Sequence, residues 1–183
     1  FTIVPAANYD IDAVSGCGGS LSGTTYTTGT ITGACTVTAS YKIKTYAVTA
    51  SAGTGGSIAP VSVTVNHGAT TSFTLSTDTG YSIDTVSGCG GTLSGSTFTT
   101  GPITGACSIT ASFSLNNYTV STVAGANGSI TPTSRAVSHG GTTTFGISPA
   151  TNYDIDSVSG CGGSLDGTTF TTGAITGACT VTA

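Results

Sequence analysis

A long internal repeat constrains the fold of this chain more than any other feature. The segment VSGCGGSLSGTTYTTGTITGACTVTASY at 14–41 returns as VSGCGGTLSGSTFTTGPITGACSITASF at 86–113, and it begins a third time near the C-terminus. Cys17, Cys89 and Cys161 follow one another at intervals of 72 residues, which sets the period. Self-similarity at a fixed period is typical of repeat architectures. We therefore expect an array of similar units rather than one large domain.

The period divides the whole chain into three parts. We expect the C-terminal part of a repeat at 1–45, a complete repeat at 46–117, and a repeat lacking its last residues at 118–183. Only residues 44–45 and 116–117 separate the last strand of one repeat from the first strand of the next. Since a flexible linker needs more Gly or Ser residues, we expect adjacent repeats to keep a fixed relation and to form an elongated rod.

Apolar and polar residues alternate along each repeat. Runs such as 46–50 (Tyr-Ala-Val-Thr-Ala) and 61–65 (Val-Ser-Val-Thr-Val) have the period of two that half-buried strands require. Glycine-rich turns separate these runs, and helix signals are missing. The pattern predicts an all-β fold, β-grasp-like or a small sandwich. It does not choose between a β-grasp and an immunoglobulin-like topology, because both give short alternating strands.

Each repeat carries two cysteines 18 positions apart. Six cysteines permit 15 pairings in principle, but identical spacing in every copy favours one local disulfide per repeat in an oxidising compartment. A zinc site needs four ligands at short spacing, and neither CxxC nor a neighbouring His is present. We expect no metal and no cofactor here, and the predicted pairs are Cys17 with Cys35, Cys89 with Cys107, and Cys161 with Cys179.

Paired aspartates form the best candidate cation site. Asp10 and Asp12 lie two positions apart on one strand, and Asp154 and Asp156 repeat the pattern. Two carboxylates can begin a calcium site, but Ca²⁺ takes six to eight oxygen ligands, and the middle copy has Ser82 in place of the first carboxylate. The alternative, which we favour, is that Asp12, Asp84 and Asp156 accept hydrogen bonds from backbone or hydroxyl groups near a turn.

Catalytic patterns are missing. His67 and His139 lie in turn sequences without an acid or cysteine nearby in the sequence. No serine lies in a GxSxG elbow, and a nucleophile needs a base and an orienting acid. We therefore predict that the chain is not an enzyme.

Two sets of aromatic residues recur at matched positions and have two possible roles. They either contact carbohydrate or fill the core, and their exposure decides between the two. The sets are Tyr9, Tyr81 and Tyr153, and Tyr26, Phe98 and Phe170.

The charge content excludes some partners. Three basic residues and a net charge of -4 cannot neutralise a phosphate backbone, on which nucleic-acid affinity mostly depends. No segment approaches the roughly 18 to 20 apolar residues of a spanning helix. We expect no nucleic-acid partner and no membrane span in this segment.

Three sequence elements carry a family resemblance: YTVSTVAGANGSITP, FTLSTDTGYSIDTVSGCGG and TGPITGACSITASF. Together they resemble the bacterial extracellular repeats known as divergent internalin B-type B-repeats, over the whole chain. The resemblance implies a compact β-grasp-like or mixed-strand domain, found in tandem on secreted or surface-attached proteins and usually without enzymatic activity.

These features favour a structural repeat array of a secreted or cell-surface protein, forming a rigid stalk or an extracellular filament. The alternative is an adhesive or carbohydrate-binding module array. The expected partners are copies of itself or neighbouring repeats, joined by strand addition, and surface carbohydrate. The sequence leaves open the number of repeats, the ligand, and the choice between a monomeric stalk and a polymer.

Overall fold

The computed structural model describes every residue from Phe1 to Ala183, and its regular structure consists only of strands. It contains no helix long and apolar enough to cross a membrane. The first repeat has β1 (Tyr9–Ser15), β2 (Ser20–Ser22), β3 (Thr25–Thr27) and β4 (Thr38–Ile43). The second has β5 (Thr45–Ala52), β6 (Gly56–Ala59), β7 (Ser62–Asn66), β8 (Ser72–Thr77), β9 (Tyr81–Gly88), β10 (Thr92–Ser94), β11 (Thr97–Thr99) and β12 (Cys107–Leu115). The third has β13 (Asn117–Val123), β14 (Gly128–Thr131), β15 (Ser134–Ser138), β16 (Thr144–Pro149), β17 (Ser164–Asp166), β18 (Thr169–Thr171) and β19 (Cys179–Thr182).

The second repeat forms two four-stranded sheets, one in the order β7-β5-β12-β9 and one in the order β10-β11-β8-β6. Its first strand, β5, is antiparallel to β7 and parallel to its last strand, β12, with Val48 opposite Cys107 and Ala50 opposite Ile109. Val48 and Ile109 are fully buried. On the exposed side of the same pair, the hydroxyls of Thr49 and Ser108 lie 3.0 Å apart. The alternating pattern thus places apolar residues inward and Ser and Thr outward.

The third repeat shows how the two sheets share a core. Its sheets have the orders β15-β13-β19 and β14-β16-β18-β17, and β13 is parallel to β19. The buried side chains come from both sheets, so the sheets face each other as in a small sandwich, and the all-β prediction is confirmed. The cluster consists of Val120, Ile130, Val137, Phe145, Ile147, Phe170, Ile175 and Val181.

One strand of the complete repeat has no counterpart in the third repeat. In the second repeat β9 pairs with β12, but residues 153–158 form no strand, and only Ser159 bridges to Thr182.

The first repeat contains the equivalents of only some of these strands. β1 pairs with β4 antiparallel, as the equivalent of β9 with β12, and β2 pairs with β3. Tyr26 of β3 is buried. The first repeat therefore contains the same strand pairings as β9 with β12 and β10 with β11 of the second repeat.

Contacts group the chain into two compact units that differ from the sequence repeats. One consists of Phe1–Ala52, Ile58–Leu75 and Val86–Ala111, and the other of Gly53–Ser57, Ser76–Thr85 and Ser112–Ala183. Since the second repeat contributes to both units, a repeat boundary in the sequence is not a boundary of packing.

Candidate functional site

Each repeat contains one disulfide at the same place in the fold. The bonds are Cys17–Cys35, Cys89–Cys107 and Cys161–Cys179, with Cα–Cα distances of 5.5, 5.6 and 5.6 Å. In the second repeat the bond joins the turn after β9 to the first residue of β12, and the loop it closes contains β10 and β11. Closing a loop of this size stabilises the folded state by roughly 3 kcal/mol in the chain-entropy model.

A tight turn presents the first cysteine of each pair. Gly88 has φ +124°, and a Cβ there would overlap the carbonyl oxygen of Ser108. Cys89 follows with φ 49°, and its carbonyl accepts a hydrogen bond from the Gly101 amide at 3.1 Å. The equivalent bonds to Cys17 and Cys161 are 3.0 and 3.1 Å long. The close approach of the turn to the neighbouring strand therefore requires the glycine before the cysteine, and a φ of +61° favours the glycine after it, Gly90.

Two aspartates accept hydroxyl hydrogen bonds from a neighbouring strand, and one of them, Asp12, belongs to the predicted cation site. Asp84 accepts a hydrogen bond from the Ser112 hydroxyl at 3.0 Å. Asp12 accepts a longer one, 3.4 Å, from Ser40, and its Oδ1 lies 4.0 Å from Nζ of Lys42. No group of three or more His, Cys, Asp or Glu side chains is placed to hold a metal ion. Asp12 and Asp84 thus each contact a serine hydroxyl of the neighbouring strand, and the role of Asp156 stays a prediction.

Asp10 and Asp154 are placed differently from these two. Asp10 is exposed on β1, and its Cα partner on β4 is Lys42. Asp154 and Asp156 line a groove of about 210 Å³ in the third repeat, together with Asn127, Gly128, Ser129, Ile147, Ser148, Pro149, Ile155 and Ala183. The groove lies where residues 153–158 lack a neighbouring strand.

The two histidines lie at the junctions between repeats. His67 and His139 pack against Tyr46 and Tyr118, with ring centroids 5.9 and 6.0 Å apart. Both Nδ1 atoms are buried without a hydrogen-bond partner. Neither imidazole is paired with an acid, so neither has the partner that a catalytic base would need.

Backbone hydrogen bonds connect each junction residue to both sides. The Asn116 amide donates to the Gly80 carbonyl at 2.8 Å, and the His139 amide donates to the Asn116 carbonyl at 2.8 Å. At the preceding junction, the Lys44 amide donates to the Asn8 carbonyl at 2.9 Å, and the His67 amide donates to the Lys44 carbonyl at 2.8 Å. One pattern therefore recurs at both junctions.

Exposure separates the two sets of aromatic residues. Tyr26 is 2% exposed, and Phe98 and Phe170 are 0% exposed, so these three rings belong to the core and cannot contact a sugar. Tyr9 and Tyr153 are 41% and 54% exposed. Tyr81, the third member of that set, is half-buried, so two of its three rings are exposed at the surface.

The groove of the third repeat was not predicted from the sequence. Its floor contains Gly128, whose equivalent in the second repeat, Gly56, lies under the ring of Phe113. The recurrence of this glycine at the 72-residue period was the available signal. The sequence alone does not show that Phe113, which is far away along the chain, packs over the equivalent glycine, Gly56.

A family model described as a divergent InlB B-repeat domain matches residues 46–117 and again residues 118–183. No curated protein and no solved structure matches the chain.

Proposed function

Because the chain belongs to the family of divergent InlB B-repeat domains, we propose that it is a structural repeat array of a secreted or cell-surface protein, forming a rigid stalk or an extracellular filament. The array is non-catalytic in this proposal. The family and the disulfides support an extracellular location, because disulfides persist in oxidising compartments.

The observation that carries the proposal is the hydrogen-bonded junction. Strand β4 ends at Ile43 and β5 begins at Thr45, while β12 ends at Leu115 and β13 begins at Asn117. The single residue between the strands donates one backbone hydrogen bond and accepts another. Such a residue has little freedom to rotate, which supports a stiff connection between successive repeats.

Small-angle X-ray scattering tests the stiffness of the junction. A Gly-Ser-Gly-Ser insertion between Leu115 and Asn116 separates the junction residue from β12, and we expect it to broaden the distribution of interatomic distances. The matched control is the same insertion after Gly105, in a loop inside the repeat, which should leave the distribution unchanged. The proposal is wrong if the unmodified protein is already as broad as the junction variant.

Electron microscopy of the purified protein, with and without reductant, separates the two forms of the proposal. Long uniform fibres support a filament that assembles from copies of the chain. Dispersed particles of one length support a stalk.

Carbohydrate binding is the second candidate function, and exposed tyrosines favour it. Tyr9 and Tyr41 are 41% and 45% exposed, and they line one apolar depression with Val4 and Ala6. Aromatic faces at a surface can stack on sugar rings. A glycan array with the unmodified chain and the Tyr9→Ala variant tests this, and the candidate fails if no glycan signal depends on Tyr9.

A further inference from the structure

Strand β7 presents an unpaired edge in the middle of the chain. It is the end strand of the sheet β7-β5-β12-β9 and has a neighbour on one side only. The equivalent strand of the third repeat, β15, is also an end strand. The third repeat follows β7 and the complete second repeat precedes β15, and neither adds a strand to these edges. The free edge is thus a property of the repeat itself.

The ladder between β5 and β7 shows which backbone groups of β7 are free. The Ala50 amide donates to the Val61 carbonyl at 2.9 Å, and the register of the two strands has no irregularity. Because the direction of these groups alternates along an antiparallel strand, residues 61, 63 and 65 face β5, and residues 62, 64 and 66 face outward. The Asn66 carbonyl is used by the following turn. The outward groups left without a partner are the amides of Ser62, Thr64 and Asn66 and the carbonyls of Ser62 and Thr64.

Strand β7 lacks a charge that its counterpart β15 carries at the same position. Val63 stands opposite the fully buried Val48, and Arg135 stands opposite the fully buried Val120, so both side chains begin on the core side of their sheets. An inward-pointing charge protects an edge strand from pairing, because a paired strand would bury the guanidinium beside apolar side chains. β7 reads Ser-Val-Thr-Val-Asn, without charge or proline. The edge of β15 is therefore protected, and the edge of β7 is not.

The sequence of β7 is complementary to itself in the antiparallel direction. Two copies related by a two-fold axis at Thr64 overlap along all five residues of the strand. The two Thr64 residues then exchange two hydrogen bonds, and each Asn66 amide donates to the Ser62 carbonyl of the other copy. On the core side, Val63 lies opposite Val65 of the second copy. Pairs of β-branched residues and of threonines are among those that stabilise neighbouring strands.

We propose that β7 pairs with β7 of a second copy of the chain, antiparallel and centred on Thr64, and thereby joins two four-stranded sheets into one. The contact uses the same surface on both copies, so it closes with two chains and produces a dimer. It does not rest on the stalk or filament function, because a closed dimer forms whether or not arrays also join end to end.

Sedimentation velocity of the unmodified chain, from micromolar to millimolar concentration, tests the dimer. We expect the mass to double as the concentration rises. Hydrogen exchange should then slow at least about tenfold at the Thr64 and Asn66 amides, which face outward in the monomer. The Val63 and Val65 amides face β5 and should exchange slowly at every concentration. A chain that stays monomeric, or a dimer in which Thr64 exchanges as before, refutes the proposal.

Exchanging the residues at one position between the two strands tests the protecting charge. Val63→Arg gives β7 the charge of β15 and should weaken dimerisation at least about tenfold. Arg135→Val removes the charge from β15. Because a chain with two unprotected edges can bind two others, this variant should form species larger than a dimer. A dimer that survives Val63→Arg places the interface elsewhere, and an Arg135→Val variant that stops at the dimer overturns the protecting role of Arg135.

A proline at the centre of the edge tests the backbone pairing. Thr64→Pro removes an outward amide, and proline is tolerated on an edge strand where the N–H faces solvent. One substitution removes a hydrogen bond from each copy, so dimerisation should weaken at least about tenfold. The matched control is Ala136→Pro at the equivalent position of β15, which should leave the dimer unchanged. Urea unfolding shows whether both variants fold, and if Thr64→Pro does not, the Val63→Arg variant decides. A folded Thr64→Pro variant that still dimerises refutes the pairing.

Discussion

The packing of Phe113 on Gly56 leads to a prediction about stability. In Gly56→Ala, the new Cβ would lie 2.5 Å from the Phe113 ring and 2.6 Å from the carbonyl oxygen of Ser76. The Phe113 ring can avoid the new methyl group only by moving away from residue 56. The Ser76 carbonyl cannot move freely, because it belongs to strand β8. Overpacking of this kind costs about 1 to 3 kcal/mol, while the lower entropy of the unfolded alanine chain returns about 0.4 to 1 kcal/mol. We expect a net loss of about 1.3 kcal/mol in the free energy of unfolding, within a range of about 0 to 2.6 kcal/mol.

Gly128→Ala is the matched comparison, because the same position in the third repeat has no ring above it. Its nearest neighbour would be 3.3 Å away, so the free energy of unfolding should change by less than about 0.5 kcal/mol. Urea unfolding with the disulfides intact measures both variants, followed by the fluorescence of the seven tyrosines, since the chain has no tryptophan. Hydrogen exchange of the β12 amides localises the effect. Equal losses in the two variants would refute the reasoning, because the ring is the difference between them.

Three further variants test the packing, the disulfide and the carboxylate. Phe98→Ala removes a ring that is 0% exposed and should lower the free energy of unfolding by about 3 to 5 kcal/mol; a loss below 1 kcal/mol in urea would contradict its place in the core. Replacing Cys89 and Cys107 together by serine should cost about 2 to 5 kcal/mol, and an unchanged urea midpoint would show that the bond does not stabilise the fold. Ser112→Ala removes the partner of Asp84 and should cost about 0.5 to 1.5 kcal/mol, with faster hydrogen exchange at the Thr85 amide, which donates to the Ser112 hydroxyl at 3.2 Å; an unchanged exchange rate would contradict this role.

The fold class could be predicted from the sequence because apolar residues on a strand face the core and polar residues face the solvent, so their alternation identifies the strand. Val48 and Val65 are buried, and their neighbours Thr49 and Thr64 are exposed, as the period of two predicts. The repeat spacing was equally direct, because it needs only a comparison of the chain with itself. Properties that depend on one residue and its immediate neighbours were therefore predictable.

Properties that depend on distant residues were not predictable in this way. A period of two says which side chains face inward, but it does not say that β5 pairs with β12 in parallel. It also does not separate Tyr26, which is buried, from Tyr9, which is exposed, because both alternate with polar residues. The contact between Phe113 and Gly56 joins two residues that are far apart in the sequence. Each of these needs the three-dimensional neighbours to be known.

The parallel pairing of the first and last strands has a consequence for mechanical load. A tension applied through the N-terminal end of β5 and the C-terminal end of β12 pulls two adjacent parallel strands in opposite directions. The hydrogen bonds between Val48–Ala52 and Cys107–Ala111 then share the force and must break together, rather than one after another as in an unzipped hairpin. If they do break, the Cys89–Cys107 bond, which spans 18 residues, keeps about 60 Å of chain from extending. A stretched repeat would thus yield abruptly, over a limited length, and retain a closed loop from which to refold.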